Sequence, residues 1–321
     1  MTTPFSQIEP KIDSYLEELE QKNKKDPTDP TCQIEWKQNE CMSRHTTFRI
    51  GGSAALYAKC KTVEALVALT KHCRENEIPT IVLGNGSNVL FDDEGFCGVV
   101  LSMTGLDGIT IAENTIEAGA GASLSAVAKV ARDHSLTGME FAYGIPGSCG
   151  GAVFMNAGAY DGEMRNIVQE STYLDTTDGT LHTLHRDEHA FGYRDSAYRH
   201  HPSWILVSVK LTLQPGDREA ICAKMEDFWS RRTAKQPLDY PSAGSVFKRY
   251  PGRYTAQMID EAGLKGAMVG GAQVSEKHAG FIINKGSATS ADVVTLIEQI
   301  RQTLYDKYGI WIECELIRYP K

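Results

Sequence analysis

The sequence predicts an α+β protein with two domains that follow an N-terminal appendage. Three observations support this prediction. Short apolar strands and amphipathic helices alternate between residues 45 and 215. The pair Asp178-Gly179 separates two runs of β-forming residues, which is typical of a hairpin. The pattern of predicted helices and strands changes after Gly216. We therefore expect one domain over 45–215 and a smaller one over 216–321.

Residues 1–44 are predicted to form a surface helix and a linker that carry no chemistry. Helical periodicity in IEPKIDSYLEELEQKNKKD is sparse, and the breaker-rich DPTDPT follows it. Acidic residues stand where a signal peptide would need a basic start and an apolar run. No stretch of the chain approaches the ~20 apolar residues of a membrane span. The sequence therefore predicts a cytoplasmic protein without membrane insertion.

The domain over 45–215 is predicted to contain a β-α-β unit near its start. Its helix begins after the N-cap Thr62 and ends before Pro79, and the strand TIVLG then leads into the glycine loop 84–88. A second helix is predicted after the N-cap Ser123. The other predicted strands are FRIGGSAALYAKC, GVVLSM, a pair within ITIAENTIEAGAG, the hairpin STYLDTTDGTLHTL and SWILVSVKLTLQPGD.

The domain over 216–321 is predicted to begin with a helix from about Asp217 to Ala234. A glycine turn in SAGSVFKR precedes the short helix TAQMIDEAGL and the strand GFIIN. A strongly periodic helix begins at Ser290. The last predicted strand is IWIECELIRY, whose alternation places Glu313 and Glu315 on one face.

Charge and cysteine content narrow the class of protein. The net charge of −8 argues against a general nucleic-acid partner, because such binding needs many Lys and Arg contacts to phosphates. Six basic residues and one acidic residue lie between Arg231 and Arg253, which indicates either a solvated basic face or a local anion site. Eight cysteines without any C-x-x-C pair are typical of reduced thiols in a cytoplasm.

Two glycine loops, GNGSN and GIPGSCGG, lie where predicted strands end. Neither loop is a G-x-G-x-x-G fingerprint or a P-loop. Both offer main-chain N–H groups and small hydroxyls, and successive N–H groups that point into one concavity bind oxyanions. A single loop of this kind is often only a turn, but two of them favour a diphosphate held by the main chain.

Six motifs in order resemble one family. They are HTTFRIGG, GNGSNVL, GIPGSCGGAVFMNAGAY, FGYRDS, AGSVFKR and GAQVSEKHAGFIIN. Together they are similar to the UDP-N-acetylenolpyruvoylglucosamine reductases, which complete UDP-N-acetylmuramate for peptidoglycan. The resemblance runs from about Met42 to Arg318. It implies a cytoplasmic oxidoreductase that uses NADPH to reduce a vinyl ether.

The resemblance also implies the cofactor and its site. The first domain resembles the two-subdomain FAD-binding domain of the vanillyl-alcohol-oxidase group, in which non-covalent FAD lies against two glycine loops. A smaller α+β domain would bind the substrate. The cofactor-binding residues expected from this resemblance are Gly84, Asn85, Gly86, Ser87, Asn88, Gly144, Gly147, Ser148 and Gly151.

Three catalytic residues are carried over by motif. Arg194 in FGYRDS matches an arginine that grips the substrate carboxylate, although a loop arginine paired with Asp195 is the plainer interpretation. Ser245 in AGSVF matches the proton donor, although a serine after glycine is usually a turn residue. Glu315 matches the catalytic acid. One extra residue before Arg318 departs from the family ending and leaves Glu313 as the alternative.

The substrate contacts are predicted from the same resemblance, and each could equally be a solvated surface residue. They are Lys248, Tyr254, Gln273, Lys277 and His278, with Asn284 ranked beside them. Cys149 and Asp161 depart from the family pattern; we interpret Cys149 as a small loop filler and expect Asp161 to alter a turn. His182, His185 and His189 lack the spacing of a metal site, so no metal is expected.

Two other functions stay open at the level of sequence. The first is a different flavin enzyme of the same fold, such as a hydroxy-acid or alcohol oxidase. The second is a UDP-sugar-binding protein that has lost its flavin. The intact pair of glycine loops argues against the second.

Overall fold

The structure is a computed structural model that describes residues 5–320. Its helices are α1 (Phe5–Lys25), α2 (Val63–Glu75), α3 (Leu124–Asp133), α4 (Cys149–Phe154), α5 (Ala197–His200), α6 (Arg218–Lys235), α7 (Thr255–Glu261) and α8 (Ser290–Tyr308). Within residues 5–320 no helix is both long enough and apolar enough to cross a bilayer.

The strands are short and numerous. They are β1 (Ile34–Cys41), β2 (Ser53–Cys60), β3 (Thr80–Leu83), β4 (Val89–Phe91), β5 (Phe96–Ser102), β6 (Ile109–Ala112), β7 (Thr115–Gly119), β8 (Leu136–Thr137), β9 (Gly158–Ala159), β10 (Gly162–Glu163), β11 (Val168–Asp175), β12 (Thr180–His185), β13 (Trp204–Thr212), β14 (Gln214–Pro215), β15 (Ser242–Ser245), β16 (Met268–Val269), β17 (Ala272–Val274), β18 (Phe281–Asn284) and β19 (Ile317–Tyr319).

The chain forms two compact units that are not continuous in sequence. Within the described residues, the first unit comprises 5–40, Ala55–Asn85 and Cys97–Trp229. The second comprises Cys41–Ala54, Gly86–Phe96 and 230–320. This division by contacts differs from linear boundaries at 44 and 215, because two short segments from the first hundred residues fold with the C-terminal part.

Among the described residues, the first unit contains two larger sheets and two two-stranded pairs, β8 with β14 and β9 with β10. A five-stranded sheet has the order β12-β11-β13-β7-β6, and the predicted hairpin joins β11 to β12. A four-stranded sheet has the order β1-β2-β5-β3, with β3 and β5 parallel. Thr62 caps α2 as predicted, since its side chain accepts a hydrogen bond from the Ala65 N–H. Ser123 precedes α3 but makes no side-chain capping bond.

The N-terminal segment is more integrated than the sequence predicted. Five apolar residues of α1 are buried in the core of the first unit: Ile8, Ile12, Tyr15, Leu16 and Leu19. These residues share one helical face, and that face packs because its sparse apolar positions still recur at helical spacing. The predicted linker is wrong over Ile34–Cys41, where β1 pairs at the edge of the four-stranded sheet.

The second unit is built on a four-stranded antiparallel sheet of order β15-β18-β17-β16. The apolar face of α8 is buried in its core through Val293, Leu296, Ile297, Ile300 and Leu304. A capping box between Thr289 and Asp292 starts α8. β4 and β19 form a separate parallel pair within this unit.

The last predicted strand is only partly correct. Regular pairing is confined to Ile317–Tyr319, and before it Cys314 forms a single bridge with Phe247. The predicted alternation still describes burial, because Ile312 and Leu316 are buried whereas Trp311 and Glu313 are exposed. The segment is therefore extended, but its neighbours do not offer a continuous ladder of partners.

Candidate active site

The first glycine loop, residues 84–88, follows β3 and leads into β4. Gly84 and Asn85 belong to the first unit, and the remaining three residues belong to the second. Gly86 has a φ of 62°, and a Cβ there would collide with the carbonyl of His45. Within residues 5–320, the N–H groups of Asn85, Gly86 and Ser87 have no hydrogen-bond acceptor. The loop therefore presents consecutive donors of the kind that hold an oxyanion.

The second glycine loop, residues 144–151, lies in the first unit and ends in α4. Ser148 is buried, and its Oγ accepts a hydrogen bond of 3.3 Å from the Gly151 N–H, which caps the helix. The Ser125 Oγ accepts a bond of 3.0 Å from the Gly144 N–H. A Cβ at Gly84 would collide with the Ser148 Oγ. Glycine at 84 thus allows the two loops to touch, as a shared ligand site requires.

Cys149 is fully buried at the first position of α4. Burial raises the pKa of its thiol to about 12, so the thiol is protonated near neutral pH. A protonated thiol is a poor nucleophile. This environment supports the interpretation of Cys149 as a filler and favours a non-covalent flavin.

Arg194 lies on a tight turn in the first unit, which we call the arginine loop (residues 192–196). Gly192 and Asp195 form an isolated bridge around it, and Arg194 itself has a φ of 54°. The guanidinium Nη2 donates to the Gly158 carbonyl at 3.3 Å and stands over the ring of Tyr193. A non-glycine residue with positive φ is strained, and such strain concentrates at functional sites.

Asp195 has ion-pair partners of its own. Its carboxylate lies 3.0 Å from His200 Nε2 and 3.4 Å from Arg199 Nε. Hydrogen bonding by His200 lowers the pKa of Asp195, so the group is charged at neutral pH. The carboxylate next to Arg194 is therefore engaged by His200 and Arg199.

Asn156 holds the arginine loop from inside the protein. It is fully buried and has a φ of 42°. Its Nδ2 donates to the Gly192 carbonyl at 2.9 Å and to Glu163 Oε2 at 3.0 Å, and its Oδ1 accepts from the Arg165 N–H at 3.0 Å. One amide thus ties the turn that carries Arg194 to the segment 156–166.

In the second unit, Ser245 and Glu315 lie on adjacent segments, which we call the serine–glutamate corner (residues 244–248 and 313–317). Gly244 has a φ of 75°, and Ser245 ends β15 opposite Phe281. The Glu315 N–H donates to the carbonyl of Val246 at 2.7 Å. The residue after the predicted proton donor is therefore bonded directly to the predicted acid.

The alternative carboxylate, Glu313, faces outward. Its side chain is 74% exposed and forms an ion pair of 3.0 Å with Lys248, and its carbonyl accepts from the Lys248 N–H. Glu315 is half-buried. This difference favours Glu315 as the catalytic carboxylate and shows that the predicted substrate cation Lys248 has Glu313 as a neighbour.

Asn88 contacts the same corner. Its Nδ2 donates to the Glu315 carbonyl at 3.1 Å, and its own carbonyl accepts from the Ile317 N–H at 3.1 Å. The Asn88 amide, which was predicted to face the cofactor, thus donates one hydrogen bond to the segment that carries the acid.

The remaining predicted substrate contacts are dispersed within the second unit. Tyr254 is 63% exposed and lies beside Arg249 at the start of α7. Gln273 Nε2 donates to the Gly266 carbonyl, and Lys277 Nζ to the Thr233 carbonyl. Burial lowers the pKa of His278, whose Nδ1 accepts from the Gly280 N–H. The structure brings Lys248 and Tyr254 onto one loop but does not cluster the others with them.

Asn284, the last of these residues, has a different position. It is buried, its Nδ2 donates to the carbonyl of Phe48 at 3.2 Å, and its Oδ1 accepts from the N–H groups of Gly286 and Ala288. These bonds give Asn284 a structural role within the second unit.

Histidine pairs with local carboxylates in the first unit. His182 lies 2.8 Å from Asp178 and His185 lies 3.7 Å from Glu170, while the buried His189 shares a hydrogen bond with Ser171. Over the described part of the chain, no group of three or more His, Cys, Asp or Glu side chains could hold a metal ion.

Comparison with known proteins identifies the family. Residues 54–185 match a family described as FAD binding domain, and residues 236–319 match the C-terminal domain of UDP-N-acetylenolpyruvoylglucosamine reductase. The reductase of Caldanaerobacter subterraneus subsp. tengcongensis is 47% identical over 278 residues, which cover 87% of this chain and 91% of the relative. This chain belongs to the UDP-N-acetylenolpyruvoylglucosamine reductase family.

Other members of the reductase family support the same assignment. The enzyme of Limosilactobacillus reuteri subsp. reuteri is 45% identical over 283 residues, which cover 88% of this chain and 94% of that one. The solved reductase of Thermus caldophilus has a TM-score of 0.75 and 33% identity, and the match covers 89% of this chain and 99% of the other. The predicted α+β fold with an FAD-binding domain, the class of oxidoreductase and the cofactor FAD are thereby confirmed.

Two residues that support the site, Asn156 and Thr47, were not predicted from the sequence. Asn156 lies inside the quoted motif FMNAGAY, but nothing in its spacing shows that it is buried against the arginine loop. Thr47 in HTTFRIGG donates its N–H to the Gly86 carbonyl at 3.0 Å and so supports the first glycine loop. The signal that could have found both is their place within the quoted family motifs, at positions to which no role had been assigned.

Proposed function

We propose that this chain catalyses the NADPH-dependent, FAD-mediated reduction of UDP-N-acetylenolpyruvoylglucosamine to UDP-N-acetylmuramate, a step of peptidoglycan precursor synthesis. Relatives named for this reductase match most of the chain. One structural observation supports the proposal most directly: the bond from the Glu315 N–H to the Val246 carbonyl, which sets the proposed acid beside the residue that follows Ser245.

The two glycine loops would hold FAD. The N–H groups of Asn85, Gly86 and Ser87 offer donors to the diphosphate. Gly84 has no Cβ, and this leaves room for the Ser148 Oγ of the second loop beside the first. When bound, FAD supplies the hydride that adds to the enolpyruvyl group. NADPH is the proposed source of that hydride.

The chain's own residues would handle the carboxylate and the proton. Arg194 would grip the substrate carboxylate with two N–H groups and offset the negative charge that develops there. Ser245 would give its hydroxyl proton to the carbon next to the one that receives the hydride. Glu315 would supply an acidic group on the adjacent segment.

The substrate's diphosphate needs cations, and the basic stretch from Arg231 to Arg253 would supply them, with Lys248 and Tyr254 as the foremost contacts. Gln273, Lys277 and His278 are secondary candidates. The partner is a small molecule, as the names of the relatives imply. The negative net charge argues against a general nucleic-acid partner. We place the enzyme in the cytoplasm, because its eight cysteines are free thiols in a chain of this length.

Anaerobic mixing tests the proposal. The purified protein is mixed first with NADPH and then with the enolpyruvyl UDP-sugar, while the visible absorbance of the flavin is followed. We expect NADPH to bleach the flavin and the UDP-sugar alone to restore its colour. Bleaching that only oxygen reverses would instead establish an oxidase, and a protein that stays colourless after reconstitution with FAD would contradict a flavin site.

A further inference from the structure

The first glycine loop and the segment that carries Glu315 run side by side in the same direction. Residues 84–88 lead into β4, and Glu315 leads into β19, which pairs in parallel with β4 from the register Ile317 to Val89. Beyond this point Arg318 and Asp92 form two hydrogen bonds of 2.9 Å. The proposed acid therefore enters a strand whose neighbour begins at the cofactor loop.

Both polar main-chain atoms of Glu315 are held by hydrogen bonds from opposite partners. Its N–H donates to the carbonyl of Val246 at 2.7 Å, and its carbonyl accepts from Asn88 Nδ2 at 3.1 Å. A carbonyl can only accept, so the Asn88 amide must turn its NH₂ group toward Glu315. The parallel pairing of β4 and β19 begins only after this residue, so the Asn88 side chain is what extends the contact to Glu315.

We propose that Asn88 is a positioning residue that fixes the main chain of Glu315, and with it the direction of the acid, relative to Ser245. The inference rests on the catalytic role proposed above for Glu315. Asn88 lies 227 residues from Glu315 in the chain and ends the loop that would hold FAD. It thus links the cofactor loop to the acid without itself transferring a proton. Misplacing a catalytic group by about 1 Å can cost roughly a hundredfold in rate.

The proposal separates two roles that the same amide could have. If Asn88 only held FAD, its loss would weaken FAD binding and slow flavin reduction by NADPH. If it positions Glu315, its loss would spare both of these and slow the reoxidation of the flavin by the UDP-sugar. Asn88→Asp is the sharper variant, because it keeps the size of the side chain but replaces the donor with a carboxylate, which only accepts.

The experiment compares Asn88→Asp, Glu315→Gln and the double variant in stopped flow, with FAD content and thermal unfolding as checks on loading and folding. We expect Asn88→Asp to bind FAD and to be reduced by NADPH at near wild-type rates, while reoxidation slows roughly ten- to a hundredfold. Adding Asn88→Asp to Glu315→Gln should then slow reoxidation no further, because the first change acts through the second residue. Arg318→Gln is the matched control, since it loosens the same strand pair beyond Glu315 and should leave reoxidation unchanged.

Each outcome decides the proposal. Loss of FAD or equal slowing of both steps in Asn88→Asp would overturn it in favour of a cofactor contact, as would additive losses in the double variant. If Arg318→Gln slows reoxidation as much as Asn88→Asp does, the slowing comes from general loosening of β4 and β19, and the positioning role of Asn88 is overturned. A Glu315→Gln variant with unchanged reoxidation would contradict the catalytic role of Glu315 itself, which is a separate failure.

Discussion

The arginine loop and the serine–glutamate corner support their functional residues in opposite ways. Arg194 occupies strained backbone with a φ of 54°, and the turn that carries it is held by one buried side chain, Asn156. Ser245 and Glu315 instead lie on extended segments that are bonded main chain to main chain. Substitution of a supporting side chain should therefore lower the free energy of unfolding more at the arginine loop than at the corner, whose main-chain bonds survive most substitutions.

The largest effect on the reaction is expected for Ser245, the proposed proton donor in the serine–glutamate corner. Ser245→Ala should leave flavin reduction by NADPH intact and slow reoxidation by the UDP-sugar about 10²–10⁴-fold, the scale of losing an acid catalyst. The main-chain bond of Val246 to Glu315 should persist, so stability should change little. Ser242→Ala on the same strand is the control. Equal slowing of both steps in Ser245→Ala would show that the serine is structural.

Two substitutions of Arg194 can separate its proposed catalytic role from the strain in its backbone. Arg194→Lys should slow reoxidation roughly ten- to a hundredfold, because lysine cannot grip a carboxylate with two parallel bonds. Arg194→Gly should lose the same step yet unfold at an equal or higher temperature, since glycine removes left-handed strain of about 1 kcal/mol. Arg186→Lys, at an exposed site, is the control. If Arg194→Gly retained reoxidation, the plainer view of a loop arginine would be correct.

Removing the support of the arginine loop should lower stability directly. Asn156→Ala leaves the Gly192 carbonyl and the Arg165 N–H without this partner, at a cost of about 2–4 kcal/mol in the free energy of unfolding. Reoxidation should slow as well, because the turn that carries Arg194 loses its anchor. Asn166→Ala removes one exposed bond from the same segment and should cost under about 1 kcal/mol. Similar urea midpoints for the two variants would contradict the anchoring role.

Much of the fold could be predicted from the sequence because its signals are local. Thr62 caps α2, the Asp178-Gly179 pair turns the hairpin, and the periodicity after Ser290 produces α8. The predictions were wrong where strand pairing depends on segments that are distant in the sequence. IWIECELIRY has the alternation of a strand, but its neighbour offers one bridge at Phe247 before regular pairing begins. β1 was not predicted, because it lies in a segment whose composition is typical of a linker.

The candidate site divides in the same way. The glycine loops were predictable because their glycines, their small hydroxyl side chains and their lack of large side chains can be read directly from the sequence. Asn156 and Asn88 were not assignable in the same way, because their partners lie 36 and 227 residues away in the chain. An asparagine in a motif indicates that an amide is needed, but only the tertiary structure shows which carbonyl it satisfies.

Acid should affect each unit through one histidine, the buried His189 and the half-buried His278. Burial lowers the pKa of His189 in the first unit and of His278 in the second. As pH falls from 7.5 to 5, the unfolded chain therefore takes up these protons before the folded protein does, and stability falls. His189 is fully buried, so His189→Gln should flatten the pH dependence of the unfolding free energy more than His278→Gln. Unchanged slopes in both variants would assign the acid sensitivity to other groups.

The smallest effect is expected at a turn beside the arginine loop, between β9 and β10. Tyr160 and Asp161 both have positive φ, at 51° and 65°, which is the geometry of a two-residue hairpin turn that favours glycine at its second position. Asp161→Gly should relieve left-handed strain but add chain entropy to the unfolded state, so we expect a net gain of about 0.5 kcal/mol. Thermal unfolding measures it, with Asp161→Ala as the matched variant that should be destabilised because alanine keeps the Cβ and loses the polar group. If Asp161→Gly were instead clearly less stable than the wild type, the aspartate would contribute more to this turn than its backbone strain costs, and the segment behind Arg194 would be held by side chains at both of its ends.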